Sequence, residues 1–235
     1  LVLAIFALLI MALAFGLREP GFGGGTPIKR DQTVGQALKE AWTYPSFLLL
    51  MGGYFVCGFQ VMFIGVHMPS YLKDFGMEPQ VASTSLALVG LFNIFGTYLA
   101  GNLGQKMPKR YLLSGIYGLR SVATVCFLLA PLSPWSVYIF CAAMGFLWLS
   151  TVPLTNATIA QIFGVQHLSM LGGFVFFSHQ IGSFMGVWLG GYLYDINGNY
   201  DMVWYLSIAL GIFAALVNLP VRESAIVRNP ATKAA

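Results

Sequence analysis

Long apolar runs alternate with short polar segments over most of this chain. A helix needs about 20 predominantly apolar residues, at about 1.5 Å of rise per residue, to cross the hydrocarbon core of a bilayer. Several runs approach or exceed this length. They predict six membrane-spanning helices, at Pro45 to His67, Val81 to Leu103, Tyr111 to Ala130, Trp135 to Ala157, Leu168 to Tyr194 and Met202 to Leu219. Pro153 is expected to kink the fourth of these helices.

The segments around these spans predict the rest of the organisation. The apolar run 1–17 has no initiating Met and no basic segment before it, which favours the end of a transmembrane helix over a signal peptide. The Gly-rich, charged segment 18–44 predicts a cytoplasmic linker with one short amphipathic stretch. Residues 45–220 would form a six-helix transmembrane bundle, and residues 221–235 a cytoplasmic tail. The expected fold class is an all-α membrane protein.

Composition and charge agree with a membrane protein and set its orientation. Hydrophobic residues make up 57% of the chain and charged residues 9%, against roughly 25% charged in soluble domains. The basic residues lie between the apolar runs, which indicates membrane topology rather than nucleic-acid binding. With segment 18–44 inside, ten Lys and Arg residues lie on the inner side and only Lys73 on the outer side. Because basic residues are retained in the cytoplasm, we expect the linker and the C terminus there.

The loop at residues 101–110, between the second and third spans, resembles the second copy of the signature of the major facilitator superfamily. The positions that carry this resemblance or its basic character are Gly101, Gly104, Gln105, Lys106, Lys109 and Arg110. Two positions depart from the signature: Gln105 replaces an Asp, and Pro108 replaces the second Gly. Gln lacks the charge that a carboxylate contributes at a helix N-terminus, about 0.3 to 1 kcal/mol, so a gating role for this loop stays open.

Three further stretches resemble one branch of that superfamily, namely the bacterial members of the monocarboxylate-transporter-like and oxalate:formate-antiporter-like group. They are residues 57–60, 67–72 and 178–184. The resemblance implies a twelve-helix fold of two halves, of which this chain holds the end of the sixth helix and helices seven to twelve. It also implies a bacterial inner-membrane location, a missing N-terminal half as partner, a substrate bound near the midplane and alternating access. We expect the second half alone not to transport.

Polar side chains at membrane depth are costly and therefore tend to be functional or paired. The predicted mid-bilayer belt consists of Gln60, Asn93, Arg120, His179 and Gln180. A guanidinium that faces a cavity binds a carboxylate well, so Arg120 favours a small anionic substrate. The alternative is that Arg120 bonds carbonyls of neighbouring helices. His179 lies on the helix that corresponds to the family's eleventh, which lines the cavity there, and it could carry a proton or meet a carboxylate. A hydrogen-bonded core histidine is the alternative.

Two more pairs share helix faces. Gln60 and His67 are seven residues apart and predict cavity lining, or else His67 anchors the helix end before Pro69. Asn93 and Thr97 lie where the eukaryotic monocarboxylate carriers place an acidic and a basic residue. Neither charge is present, so proton coupling through that pair does not carry over. A coupled proton and an exchanged anion both remain open as second partners of the anionic substrate.

The remaining features predict scaffold rather than chemistry. Gly182, Gly186 and Gly190 recur every four residues and predict close helix packing. The three cysteines lie in apolar runs without metal or redox spacing and are interpreted as core residues. All acidic residues lie outside the spans or at their ends, so no catalytic residues, metal or cofactor are expected. The hypothesis is a secondary transporter of a small mono- or dicarboxylate, with a carrier of another small solute or a non-transporting receptor or assembly subunit as alternatives.

Overall fold

The computed structural model describes residues 32–228, together with Met11. The predicted helix end at residues 1–17, most of the linker and the last residues of the tail therefore lie outside the described residues. The compact unit considered below begins at Val34. Its first helix, α1 (Val34–Thr43), occupies the stretch for which the sequence predicted one short amphipathic segment.

The fold class predicted from the sequence is confirmed. Among the described residues, six helical segments are long and apolar enough to cross a membrane. In chain order the helices are α2 (Pro45–Asp74), α3 (Pro79–Lys106), α4 (Lys109–Leu129), α5 (Pro134–Leu147), α6 (Thr151–Phe163), α7 (Leu168–Asn197) and α8 (Asp201–Asn218). Helices α5 and α6 together form the fourth span, so each predicted apolar run corresponds to one span of the bundle.

Helix α2 is the centre of the bundle and packs most extensively against α7, while α3 packs against α5, and α4 against α8. Glycines of α7 make the first of these contacts close. A Cβ atom on Gly182 would collide with the Phe55 carbonyl oxygen, and one on Gly186 with the Phe59 carbonyl oxygen. The predicted glycine repeat thus lies against the backbone of α2, and its third member, Gly190, lies against the ring of His67.

The fourth span is broken between Leu147 and Thr151. Pro153 lies just beyond the break, where its ring and its missing N–H prevent a regular helical bond to the carbonyl of Leu149. That carbonyl instead accepts a tight bond from the Val152 N–H at 3.0 Å. The span consequently consists of two half-helices, whose ends leave backbone groups unpaired within the middle of the bundle.

Candidate substrate site at the helix break

Side chains from two neighbouring helices bond the backbone of the break. Nη2 of Arg120, on α4, donates to the carbonyl oxygens of Leu147 (2.6 Å) and Trp148. Oδ1 of Asn93, on α3, accepts from the N–H of Leu149 at 3.0 Å. An unpaired backbone group in the membrane costs several kcal/mol, so these contacts explain how the span tolerates its interruption.

The guanidinium of Arg120 retains unused hydrogen-bonding capacity. The residue is fully buried, at 0% exposure, and its Nε and Nη1 atoms have no hydrogen-bond partner. Within residues 32–228 it takes part in neither of the two ion pairs. Its nearest aromatic contact is the ring of Tyr117, whose centroid is 5.4 Å from Cζ. The site therefore holds a fixed positive charge with free donors.

Cys57 of α2 lies next to this charge. Its Sγ atom is 3.4 Å from Oγ1 of Thr151, the first residue of α6, and 4.0 Å from the carbonyl oxygen of Trp148 that also binds Arg120. The sequence analysis interpreted Cys57 as a core residue, and its side chain is indeed fully buried.

His179 marks the edge of the site. Its ring centroid is 5.2 Å from that of Tyr54 and 5.5 Å from that of Phe176, on which it stacks. Its Nδ1 atom is 3.3 Å from Oε1 of Gln180, which lies on the exposed face of α7. The imidazole thus lies between these aromatic rings and the bundle surface. We call the side chains at and beside the break the break cluster: Tyr54, Cys57, Arg120, Thr151 and His179.

The predicted cavity-lining pair, Gln60 of the belt and His67, makes its contacts elsewhere. Gln60 is buried, but its Nε2 atom donates to the carbonyl of Ser207 on α8 at 2.9 Å. His67 bonds the carbonyl of Val187 through Nε2 at 2.9 Å and the hydroxyl of Tyr200 through Nδ1 at 3.3 Å. The structure therefore brings Asn93, Arg120, His179 and Gln180 to or beside the break, and it directs Gln60 and His67 towards helix contacts.

The signature loop lies at the end of the bundle that we call the basic end, with Lys106, Lys109 and Arg110. Gln105 bonds only the carbonyl of Gly101 in its own helix, at 3.5 Å. A carboxylate from the segment after α8 takes the position at the N-terminus of α4: Oε1 of Glu223 accepts from the backbone N–H of Arg110 at 2.7 Å. Gln105 carries no charge, and the negative charge at the N-terminus of α4 comes instead from Glu223, which lies outside the loop.

The segment that carries Glu223 connects several helices. The Arg222 N–H donates to Oγ of Ser46 at 2.9 Å, and the Ile226 N–H donates to the carbonyl of Ile162 at 3.0 Å. Arg228 forms an ion pair with Glu40 of α1 at 2.9 Å. We call residues 221–228 the strap, since they bond α1, α2, α4 and α6 at the basic end.

The break cluster contains side chains that can bind a polar or charged ligand. In the described part of the chain there is no group of three or more His, Cys, Asp or Glu side chains that could hold a metal ion. What the break cluster offers is a fixed cation, hydroxyls, a thiol and an imidazole. A discontinuous membrane helix whose ends point at such groups is the construction that secondary transporters use for their substrate sites.

Comparison with known proteins agrees with this class. The profile of the Major Facilitator Superfamily matches residues 1–166. The chain belongs to this superfamily of transporters.

Individual relatives refine the comparison. The uncharacterized MFS-type transporter YcxA of Bacillus subtilis (strain 168) is 26% identical over 221 residues, which cover 91% of this chain and 53% of that protein. Monocarboxylate transporter 13 of Rattus norvegicus is 27% identical over 159 residues, covering 66% of this chain and 37% of the relative. Monocarboxylate transporter 12-B of Danio rerio is 26% identical over 166 residues, covering 69% and 35%. The chain thus spans about half or less of the length of these relatives.

Proposed function

We propose that this chain is the second half of a secondary active transporter that moves a small organic anion, a mono- or dicarboxylate, by alternating access across a bacterial inner membrane. The linker and the strap would face the cytoplasm. The observation that carries the proposal is the guanidinium of Arg120, which is fully buried and has two nitrogen atoms without an acceptor. Relatives named as monocarboxylate transporters support the same substrate class.

The buried charge of Arg120 favours an anionic substrate on electrostatic grounds. A charge at the bilayer centre costs about 2.5 to 3.5 kcal/mol or more, and such charges normally face a partner or a water-filled cavity. The carbonyls of the break satisfy one nitrogen of the guanidinium, but they leave its charge without an anion. An anionic substrate supplies that missing charge. A carboxylate is well suited, because its two oxygens match the planar geometry of guanidinium N–H groups.

The route to this charge runs past His179 and Gln180. Gln180 is exposed and contacts the ring of His179, which in turn contacts the ring of Tyr54. We infer that an incoming carboxylate first meets these two polar side chains and then displaces them as it moves towards Arg120. The first half of the transporter would close the other side of the cavity, so the second half alone is not expected to transport.

Uptake into proteoliposomes tests this function directly. The full-length transporter is reconstituted and offered a panel of labelled small carboxylates, together with neutral and cationic solutes of similar size. We expect carboxylate uptake, its loss in His179→Ala and a strong reduction in Arg120→Lys, which keeps the charge but not the planar donor geometry. Gln60→Leu is the matched control, since Gln60 is equally buried on α2 but bonds α8.

The possible results separate fold from substrate. Uptake of neutral or cationic solutes without any carboxylate would leave the superfamily assignment intact and would show that the substrate class is wrong. Undiminished carboxylate uptake by both folded variants, checked by size-exclusion chromatography, would remove the break cluster from the site.

A further inference from the structure

A cavity of about 550 Å³ lies at the basic end, between the turn that joins α3 to α4 and the strap. Four cationic side chains line it, namely Lys106, Lys109, Arg110 and Arg222. Among its described lining residues the one carboxylate is that of Glu223. The cavity therefore carries an excess of positive charge.

The contacts of the basic end leave most of this charge without a counter-ion. Both oxygens of Glu223 are engaged, because Oε1 accepts from the Arg110 N–H at 2.7 Å and Oε2 lies 3.8 Å from Nζ of Lys109. Within residues 32–228, the side chains of Lys106, Arg110 and Arg222 take part in neither of the two ion pairs. Lys106 and Arg222 are exposed, and their long side chains can turn towards a ligand in the cavity. An anion would meet cations there that have no carboxylate of their own.

The cavity lies where two membrane spans end. Helix α3 ends at Lys106 and α4 begins at Lys109, and both helices are long and apolar enough to cross a membrane. Two apolar or aromatic side chains of the same region, Met107 and Tyr111, are 46% and 50% exposed. Tyrosine is enriched at membrane–water interfaces. This position corresponds to the polar headgroup region that borders the hydrocarbon core.

A second cavity, of about 380 Å³, adjoins the first and extends along α3 and α6. The two cavities share four lining residues, among them Lys109 and Gln161, whose side chains bond each other at 2.7 Å. Beyond them the lining is mainly apolar and includes Pro153, Leu154 and Ala157 of α6. A ligand with a charged group and an attached hydrocarbon chain therefore matches the two cavities better than a free anion does.

We propose that the two cavities form a binding site for an anionic phospholipid. Its phosphate group takes Lys106 and Arg222 as counter-ions, and one acyl chain lies along α3 and α6. Basic pockets between membrane helices recur as sites for such headgroups. The inference does not depend on which substrate is transported. Because the second cavity extends to Pro153, just beyond the helix break, a bound lipid would hold the strap, α3 and α6 together next to the break.

Native mass spectrometry of the full-length transporter tests this site. The protein is released from micelles that contain equal amounts of phosphatidylglycerol and phosphatidylcholine with identical chains, and the ratio of the two retained lipids is measured. We expect the wild type to retain phosphatidylglycerol preferentially, and Lys106→Gln and Arg222→Gln each to lower the ratio about fivefold. Glu223→Gln should raise the ratio, because it removes the carboxylate of the cavity. Lys73→Gln, which removes an exposed lysine at the opposite end of the bundle, is the matched control and should keep the wild-type ratio.

The outcomes distinguish this site from a general attraction of lipid to basic side chains. Equal retention of the two lipids by the wild type overturns the inference, and so does an unchanged ratio in both Lys106→Gln and Arg222→Gln. An equal loss in Lys73→Gln would also overturn it. Glycerol phosphate, added at the concentration of the phosphatidylglycerol, should not displace the lipid, and displacement would show that the site takes a soluble phosphate instead. A higher ratio in Glu223→Gln supports the inference independently, since a damaged fold would lower retention.

Discussion

The break cluster and the basic end both contain arginine and lysine side chains, but they treat the charges differently. At the basic end, Lys109 lies 3.8 Å from Glu223, and Arg228 lies 2.9 Å from Glu40. At the break, Arg120 donates to two backbone carbonyls, and within residues 32–228 it forms no ion pair with a carboxylate. The bundle thus pairs Lys109 and Arg228 at the basic end, where solvent would screen them. It leaves the charge of Arg120 unpaired at the break, where burial makes an unpaired charge costly.

This difference indicates different roles. The paired charges of the strap hold it to α1 and α4, and partly exposed pairs of this kind contribute about 0 to 1 kcal/mol each. We expect them to keep these helices together during the rocking that we propose for this transporter half. The unpaired charge of Arg120 contacts only the carbonyls of the interrupted helix. This is consistent with a counter-ion that binds and dissociates, as a substrate does.

The largest expected effect is that of Arg120→Ala, which removes the unpaired charge. We expect carboxylate uptake to vanish and thermal stability in detergent to fall, because the carbonyls of Leu147 and Trp148 lose their donor at about 1 to 3 kcal/mol. Arg120→Lys should recover part of the stability and little of the uptake. Wild-type uptake by a folded Arg120→Ala protein would mean that the charge serves the helix break alone.

A smaller loss is expected for Asn93→Ala, which removes the acceptor for the Leu149 N–H at the same break without changing any charge. The unpaired N–H should destabilise the bundle by about 1 to 3 kcal/mol and slow uptake, while the affinity for carboxylate stays near that of the wild type. Thermal unfolding measures the loss of stability, and uptake at several carboxylate concentrations separates the rate from the affinity. Asn156→Ala, on an exposed part of α6, is the control. A large drop in affinity would place Asn93 in the substrate site.

At the basic end, Glu223→Gln should have a modest effect. The amide can still accept from the Arg110 N–H, but it loses the ion pair with Lys109 and the favourable charge at the N-terminus of α4, together about 1 kcal/mol or less. The melting temperature should fall slightly at low salt and less at high salt. Glu78→Gln, at the opposite end of α3, serves as the comparison. A complete loss of transport would assign the strap a direct part in gating.

The smallest effect is expected for Glu40→Gln, which weakens the exposed pair with Arg228. The stability should change by about 0 to 1 kcal/mol, and uptake should not change. Limited proteolysis of the strap, compared with the wild type, is the more sensitive measurement, since release of the segment would expose it to cleavage. Loss of uptake without a change in proteolysis would contradict a purely connecting role.

The sequence predicted the spans well, because their length and apolarity alone determine membrane insertion. It also predicted a common membrane depth for Arg120, Asn93 and His179 from their positions along the helices, and the structure brings all three to or beside the break. It could not tell which neighbour each side chain meets. Nε2 of Gln60 donates to the carbonyl of Ser207 on α8, and that contact follows only from helix packing.

Contacts between distant parts of the chain explain the remaining gaps. Cys57 lies next to Trp148 and Thr151 at the break, which are more than 90 positions from it in sequence. Glu223 likewise reaches Arg110 across 113 positions. The apolar residues around Cys57 do not indicate the first contact, and the short polar tail after the last span does not indicate the second.

The most direct test of the central claim is a binding measurement on the purified full-length transporter with a small carboxylate and its neutral amide of the same shape. Isothermal titration would be carried out at one pH on the wild type and on Arg120→Lys. We expect the wild type to bind the carboxylate and to discriminate strongly against the amide, and Arg120→Lys to lose most of this discrimination. Equal binding of the carboxylate and the amide by the wild type would contradict it.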